Sequence, residues 1–180
     1  MKELSLHILD IAQNSIEAGA TRLELTLSED GKGALTVVIR DNGHGMSPEL
    51  LKTATDPFTT TRTTRTVGLG LPLFQLCAQQ TGGGLRVESS LNEGTTVTAV
   101  AHRGHIDCPP LGDIAGTVSI LTRSSPNLTL FFRHTTPLGT FSFSTEEARE
   151  ILGSDIALSE PAVTLWIQAY IKENETLLYD

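Results

Sequence analysis

Four side chains near the start of the chain, His7, Asp10, Asn14 and Glu17, follow one another at intervals of three, four and three residues. At about 100° per residue that spacing puts them on one stripe of an α-helix. Gln13 lies beside them, and Ile8, Ile11, Ala12, Ser15 and Ile16 fall on the opposite side. An ordinary amphipathic helix with one packed and one solvated face has the same spacing. A solvated face usually mixes in Lys and Arg, however, and none occurs between Glu3 and Arg22. Carboxylate, amide and imidazole groups without a cation suit a polar or positive guest, such as a hydrated Mg²⁺ with its octahedron of oxygen ligands.

Two further stretches carry chemistry. In "DNGHGM", glycines at 43 and 45 beside Asp41 allow close approach of backbone to a flat ligand, leaving the carboxylate to accept a hydrogen bond. The N6 amino group of adenine donates to such an acceptor, whereas guanine presents a repelling carbonyl. An Asn-Gly turn has the same composition. In "VGLGLPL", Gly68 and Gly70 precede a helix, where free N–H groups and the positive dipole end can hold phosphates, although a plain glycine loop looks alike. Between them, residues 53–66 hold eight Thr together with Arg62 and Arg65 and show no regular period. They are expected to form a mobile loop that folds over a polyphosphate through charge and hydroxyl groups.

The elements that must position these residues are readable in outline. A helix over 3–18 stops at Gly19, and strands follow over 21–28 and 35–40. A short helix starts at Pro48 with Ser47 as its N-cap. A helix over 71–81 leads into a hairpin of "LRVESS" and "TTVTAVAHR" around Asn92, Glu93 and Gly94. After "CPPLGD" the texture changes. A helix is expected over 112–123, a hairpin from strands 128–134 and 140–144, and a helix at "STEE" with Ser144 and Glu147 spaced as a capping box. The last helix, over 161–174, aligns Val163, Trp166, Ile167 and Tyr170.

Composition narrows the function classes. The 180 residues suit one domain or one domain with an attachment, and 39% hydrophobic residues suit a globular core. Thirteen Lys and Arg against 21 Asp and Glu give a net charge of −8, which offers no global attraction to nucleic acid or to an anionic membrane. No apolar run is long enough for a membrane span and the start is too polar for a secretory signal, so a cytoplasmic protein is expected. The two cysteines, Cys77 and Cys108, form no CxxC pair, and Cys77 is expected in the core. His102, His105 and Cys108 have a ligand-like spacing, but nothing nearby completes a tetrahedral set.

Taken in order, "DIAQNSIEAGAT", "DNGHGM", "DPFTTTR", "VGLGLPL" and "EGTTV" resemble the successive boxes of the GHKL ATPase superfamily. This is the Bergerat-fold group of histidine kinases, DNA gyrase, mismatch-repair ATPases and serine-kinase anti-sigma factors. The resemblance covers residues 1–102. It implies an α/β sandwich, a mixed sheet with helices on one face. Residues 103–180 are then a C-terminal α/β extension that binds a partner and either continues the sheet or packs as a small domain. It also implies ATP and Mg²⁺ as ligands: Asn14 for the metal, Asp41 for adenine with Thr96 nearby, Gly43 and Gly45 for the base pocket, and Gly68 and Gly70 for the phosphates, with Met46, Leu71 and Arg62 also counted as nucleotide-binding. The order and spacing look most like histidine kinases. Asp10, four residues before Asn14, stands where gyrase-like, mismatch-repair and anti-sigma members carry a glutamate general base, and histidine kinases usually have no acid there. No helical segment with a phospho-accepting histidine precedes the domain. The expected function is therefore transfer of the γ-phosphoryl group of Mg-ATP to a protein partner in trans, and the other class is a slow ATPase or ATP-gated binding module.

Overall fold

The computed structural model describes residues 2–56 and 69–180. Helix α1 (Leu4–Glu17) is followed by β1 (Arg22–Glu29) and β2 (Ala34–Asp41), an antiparallel pair in register from Leu23↔Asp41 to Glu29↔Leu35. Alternation decides which face is buried: Leu23, Leu25 and Leu27 on β1 and Leu35, Val37 and Ile39 on β2 are almost fully covered. Helix α2 (Pro48–Thr53) is capped by Ser47, whose hydroxyl accepts from the Leu50 N–H. Helix α3 (Gly70–Gln80) leads into β3 (Gly84–Ser90) and β4 (Gly94–His102), and β4 lies antiparallel beside β2.

The remaining chain continues this sheet, so of the two arrangements open for residues 103–180 the first is adopted. Helix α4 (Ile114–Ser124) precedes β5 (Thr129–Thr136), which pairs parallel to β1, and β6 (Gly139–Ser144), which forms the far edge. Helices α5 (Thr145–Leu152) and α6 (Pro161–Leu177) complete the chain. The strand order is β3-β4-β2-β1-β5-β6, a mixed sheet. The helices cover the face that carries Leu25, Ile39, Val97 and Phe132, whereas Thr26, Val38, Arg40 and Arg133 on the other face stay partly or fully exposed. This is the expected Bergerat-type sandwich. α1 lies at its centre and buries Leu4 and Ile8 completely, each worth roughly 1.5–3 kcal/mol. One local expectation changes: the Ser144 hydroxyl accepts from Glu146 N–H at 3.2 Å, not from Glu147, so the capping box does not close as its spacing suggested.

Polar groups fasten the C-terminal segment to the end of β1. His134 of β5 is fully buried, with Nδ1 2.7 Å from Glu175 Oε2 of α6 and Nε2 3.0 Å from Glu29 Oε1 of β1. Arg103 and the Tyr179 hydroxyl also donate to Glu29. Burial raises the Glu29 carboxyl, but the Tyr179 hydrogen bond and the Arg103 charge together hold it below its usual range. Burial, reinforced by that same carboxylate, pushes the Tyr179 phenol up to about 12.

Candidate functional site

At the opposite end of β1, where β2 stops and β4 starts, α1, α2 and α3 enclose a pocket of about 540 Å³ including its open mouth. Ile11, Val97, Leu71, Leu50 and Met46 give it apolar walls, and Asn14, Ser15, Asp41, His44 and Thr95 supply the polar groups. A concave, mostly apolar pocket with a few polar groups is the usual form of a small-molecule site.

Asp41 is its anchor and is only 8% exposed. Oδ2 accepts from the Ser15 hydroxyl at 2.6 Å, and Oδ1 accepts from the N–H of Gly43 at 2.8 Å and of Thr95 at 3.3 Å. An ionised carboxylate offers about four acceptor sites, so three donors leave one for a guest. A guest that fills this slot must therefore bring an N–H or O–H to Asp41.

The loop after Asp41 is stitched to its surroundings by backbone hydrogen bonds. His44 N–H donates to Ala18 O at 2.9 Å, Asn92 N–H donates to His44 O at 2.8 Å, and Met46 N–H donates to the Ser89 hydroxyl at 2.8 Å. Gly45 has φ 67°, and a Cβ there would lie 1.9 Å from the Ser90 carbonyl oxygen. A Cβ on Gly43 would lie 2.9 Å from Ala18 O. The glycines are thus required by close approach of the protein's own backbone, a different reason from the approach of a ligand. Gly45 lines the pocket, and Gly43 contributes its N–H to Asp41 from behind.

On α1, Asn14 faces the pocket, and its side chain has no protein partner among the described residues. One turn earlier, the Asp10 carboxylate rests against the first residue of α3: a Cβ on Gly70 would lie 2.3 Å from Asp10 Oδ2. Gly70 is what admits this carboxylate to the start of α3, where Leu69 makes no side-chain cap and free N–H groups carry partial positive charge. Among the described residues no group of three His, Cys, Asp or Glu side chains could hold a metal. A cation at Asn14 would need most of its ligands from its guest and from water, which suits Mg²⁺ carried by phosphates.

The structure thus brings together Asp41, Gly45, Met46, Asn14 and Leu71 around one pocket, with Asp10 and Gly70 adjoining it. Arg62, Arg65 and Gly68 lie outside the described residues. Thr96 requires correction. It pairs with Arg40 on the open face of the sheet, and its neighbour Thr95, opposite Asp41, is the threonine in the pocket. His7 also departs from the expected polar stripe. It is 2% exposed and stacks on Phe74 at 5.2 Å, and burial pushes its imidazole down to about 4. Ser15 was assigned to the packed side, yet its hydroxyl is a partner of Asp41. A hydroxyl among Ile11, Ala12 and Ile16 was the available signal, because a buried polar group needs a partner. The His102, His105 and Cys108 spacing forms no metal group among the described residues. Cys77 is buried and its thiol is raised by that burial, as for a packing residue.

Residues 2–104 match the family model described as "Histidine kinase-, DNA gyrase B-, and HSP90-like ATPase". Sporulation kinase D of Bacillus subtilis (strain 168) is 37% identical over 94 residues, 51% of this chain and 18% of that protein. Histidine protein kinase DivJ of Caulobacter vibrioides is 33% identical over 96 residues, 51% of this chain and 16% of that protein. The chain therefore spans less than a fifth of the length of these relatives. The solved N-terminal domain of a DNA repair protein superposes with a TM-score of 0.53 at 16% identity, covering 80% of this chain and 52% of that one. That likeness concerns the fold alone, and its coverage reaches well beyond residue 104. No helix among the described residues is long and apolar enough to cross a membrane.

Proposed function

This chain belongs to the histidine kinase-, DNA gyrase B- and HSP90-like ATPase family, and on that premise we propose that it binds Mg-ATP under α1 and transfers the γ-phosphoryl group to a protein partner in trans. The observation that carries the reading is that, among the described residues, Asp41 has three donors and one acceptor site left over at the base of a mostly apolar pocket. The adenine amino group satisfies that acceptor, and the guanine carbonyl would leave it unpaired. Asn14 would hold the ion, which supplies charge neutralisation for the phosphates when bound. Met46, Leu71 and Gly45 would flank the base, Gly70 would open the start of α3 to the phosphates, Gly68 is assigned to them by motif, and Arg62 or Arg65 would supply positive charge.

Asp10 is assigned as the general base. In the proposed step the acceptor X–H gives its proton to the Asp10 carboxylate, an X–P bond forms, the bond from the γ-phosphorus to the bridging oxygen breaks, and ADP leaves. Among the described residues the pocket's hydroxyls are engaged, Ser15 with Asp41 and Thr95 with Ser89 at 2.8 Å, which favours an acceptor from another molecule. Residues 1–102 would then be the nucleotide-binding unit and 103–180 the surface offered to the partner, a division supported by the family match ending at residue 104.

A second reading, a slow ATPase or ATP-gated binding module, is favoured by the Asp10 carboxylate itself, which can activate water as readily as a hydroxyl. Incubating the chain and its co-purified proteins with γ-labelled ATP separates the two. Label on a protein is the expected outcome, and stoichiometric release of free phosphate without labelled protein selects the second reading.

A further inference from the structure

The two edges of the sheet are built differently. β3 carries the exposed Arg86–Glu88 ion pair at 2.8 Å. Charge of this kind keeps an edge strand from pairing with another chain. β6 has neither charge nor a second strand partner among the described residues. Phe141 and Phe143 point into the core, and Thr140 and Ser142 are exposed. Beside this edge α6 presents Trp166 and Tyr170, 41% and 40% exposed and stacked at 5.5 Å, with Tyr170 edge-on to Phe141 at 5.7 Å.

We propose that β6 pairs antiparallel with β6 of a second copy of this chain, with Ser142 on the two-fold axis. The turn Pro137–Leu138 closes on the pair Thr136↔Gly139, and from there backbone groups alternate toward and away from β5. Thr140 and Ser142 therefore turn their N–H and C=O groups to the free edge. About Ser142 the strand is its own complement. Ser142 meets Ser142 and Phe141 meets Phe143, with the serine hydroxyls on the open face and the rings on the helix face, while Thr140 meets Ser144, which is 8% exposed and whose hydroxyl caps α5. A two-fold contact requires such a self-complementary patch.

Charge selects the same occupant. Two molecules of net charge −8 repel each other wherever carboxylates meet, and the stretch from Leu138 to Ser144 with Trp166 and Tyr170 carries no formal charge. Arg133 on β5, the cross-strand partner of Ser142 on the open face, lies over the Phe131 ring of its own strand at 5.1 Å. α5 starts directly from the end of β6 and is drawn toward β5, where Arg149 donates to Pro126 O at 2.7 Å and Leu128 O at 3.0 Å.

Sedimentation equilibrium of the full chain from about 1 to 500 μM, without nucleotide, tests the pairing. The wild type is expected to dimerise, and Ser142→Lys, which sets like charges opposite each other at the axis, to weaken the dimer at least ~10-fold with an unchanged circular dichroism spectrum. Mixing Ser142→Lys with Ser142→Glu should restore the dimer, and Thr140→Lys should weaken it independently. A monomer throughout the range, a dimer indifferent to both lysines, or a mixture that fails to recover would each overturn the proposal.

Discussion

The two ends of β1 lie about 20 Å apart and both gather polar side chains, but they use them in opposite ways. At the far end Glu29, His134, Glu175, Arg103 and Tyr179 bind one another, and only Glu175 Oε1 is left buried without a partner. At the near end Asp41 keeps one acceptor free, Asn14 has no protein partner among the described residues, and Asp10 stands at the bare start of α3. A cluster whose charged groups are paired mainly with one another holds the fold together, and one whose pocket-facing groups are left open to solvent can bind something else.

The difference can be broken from the far end first, where the largest effect is expected. His134→Ala removes a buried hydrogen-bond partner from both Glu29 and Glu175, and should cost about 1–3 kcal/mol of stability for each carboxylate left unsatisfied, read by urea unfolding. ATP affinity in the folded fraction should not change. A comparable loss of affinity would show that the two ends are not independent.

His7 sharpens the contrast, since it lies on the helix of the near end yet behaves as core. Its imidazole is held at about 4 by burial against an ordinary 6.5, so between those values the unfolded chain takes up a proton that the native chain refuses. The contribution is complete above about pH 6.5 and is lost as pH falls toward 4, up to about 3 kcal/mol. His7→Leu should flatten that part of a stability-against-pH curve, and an unchanged curve would remove His7 from the account.

At the near end the changes should spare stability. Asp10→Asn is expected to bind Mg-ATP normally and lose ~100-fold or more in turnover with a serine, threonine or water acceptor. A small loss is expected if the acceptor is an imidazole, itself a nucleophile. Near-normal turnover with every acceptor would sink the general-base role. Ser15→Ala, which removes one of the three donors on Asp41, should weaken ATP by a smaller factor, about 10-fold, with Ser15→Thr recovering part of it. Calorimetric affinity unchanged in the alanine variant would make Ser15 a packing residue only.

Much of this was legible in the chain because it depends on local spacing. Helix α1, the β1–β2 and β3–β4 hairpins and the Ser47 cap follow from periodicity and turn residues. What was not legible depends on pairing across the fold. Thr95 and Thr96 are equally plausible in "EGTTV", and only the register Asp41↔Thr95 decides which one faces the pocket, because a shift of one residue flips a strand. Ser15 looked like a packed residue until β2 brought Asp41 to it, and His7 looked like a ligand until α3 laid Phe74 over it. Periodicity likewise identified the strands after residue 103 but not the edge of the sheet that receives them.

The most direct test of the account is isothermal titration of ATP and GTP into the wild type and Asp41→Asn. Replacing a charged hydrogen bond of about 1.5–3 kcal/mol by a neutral one should weaken ATP ~10- to 150-fold at unchanged circular dichroism. The wild type should also prefer ATP to GTP, and the variant should lose most of that preference. Equal ATP affinity in the two proteins would contradict the assignment of Asp41, and with it the nucleotide pocket.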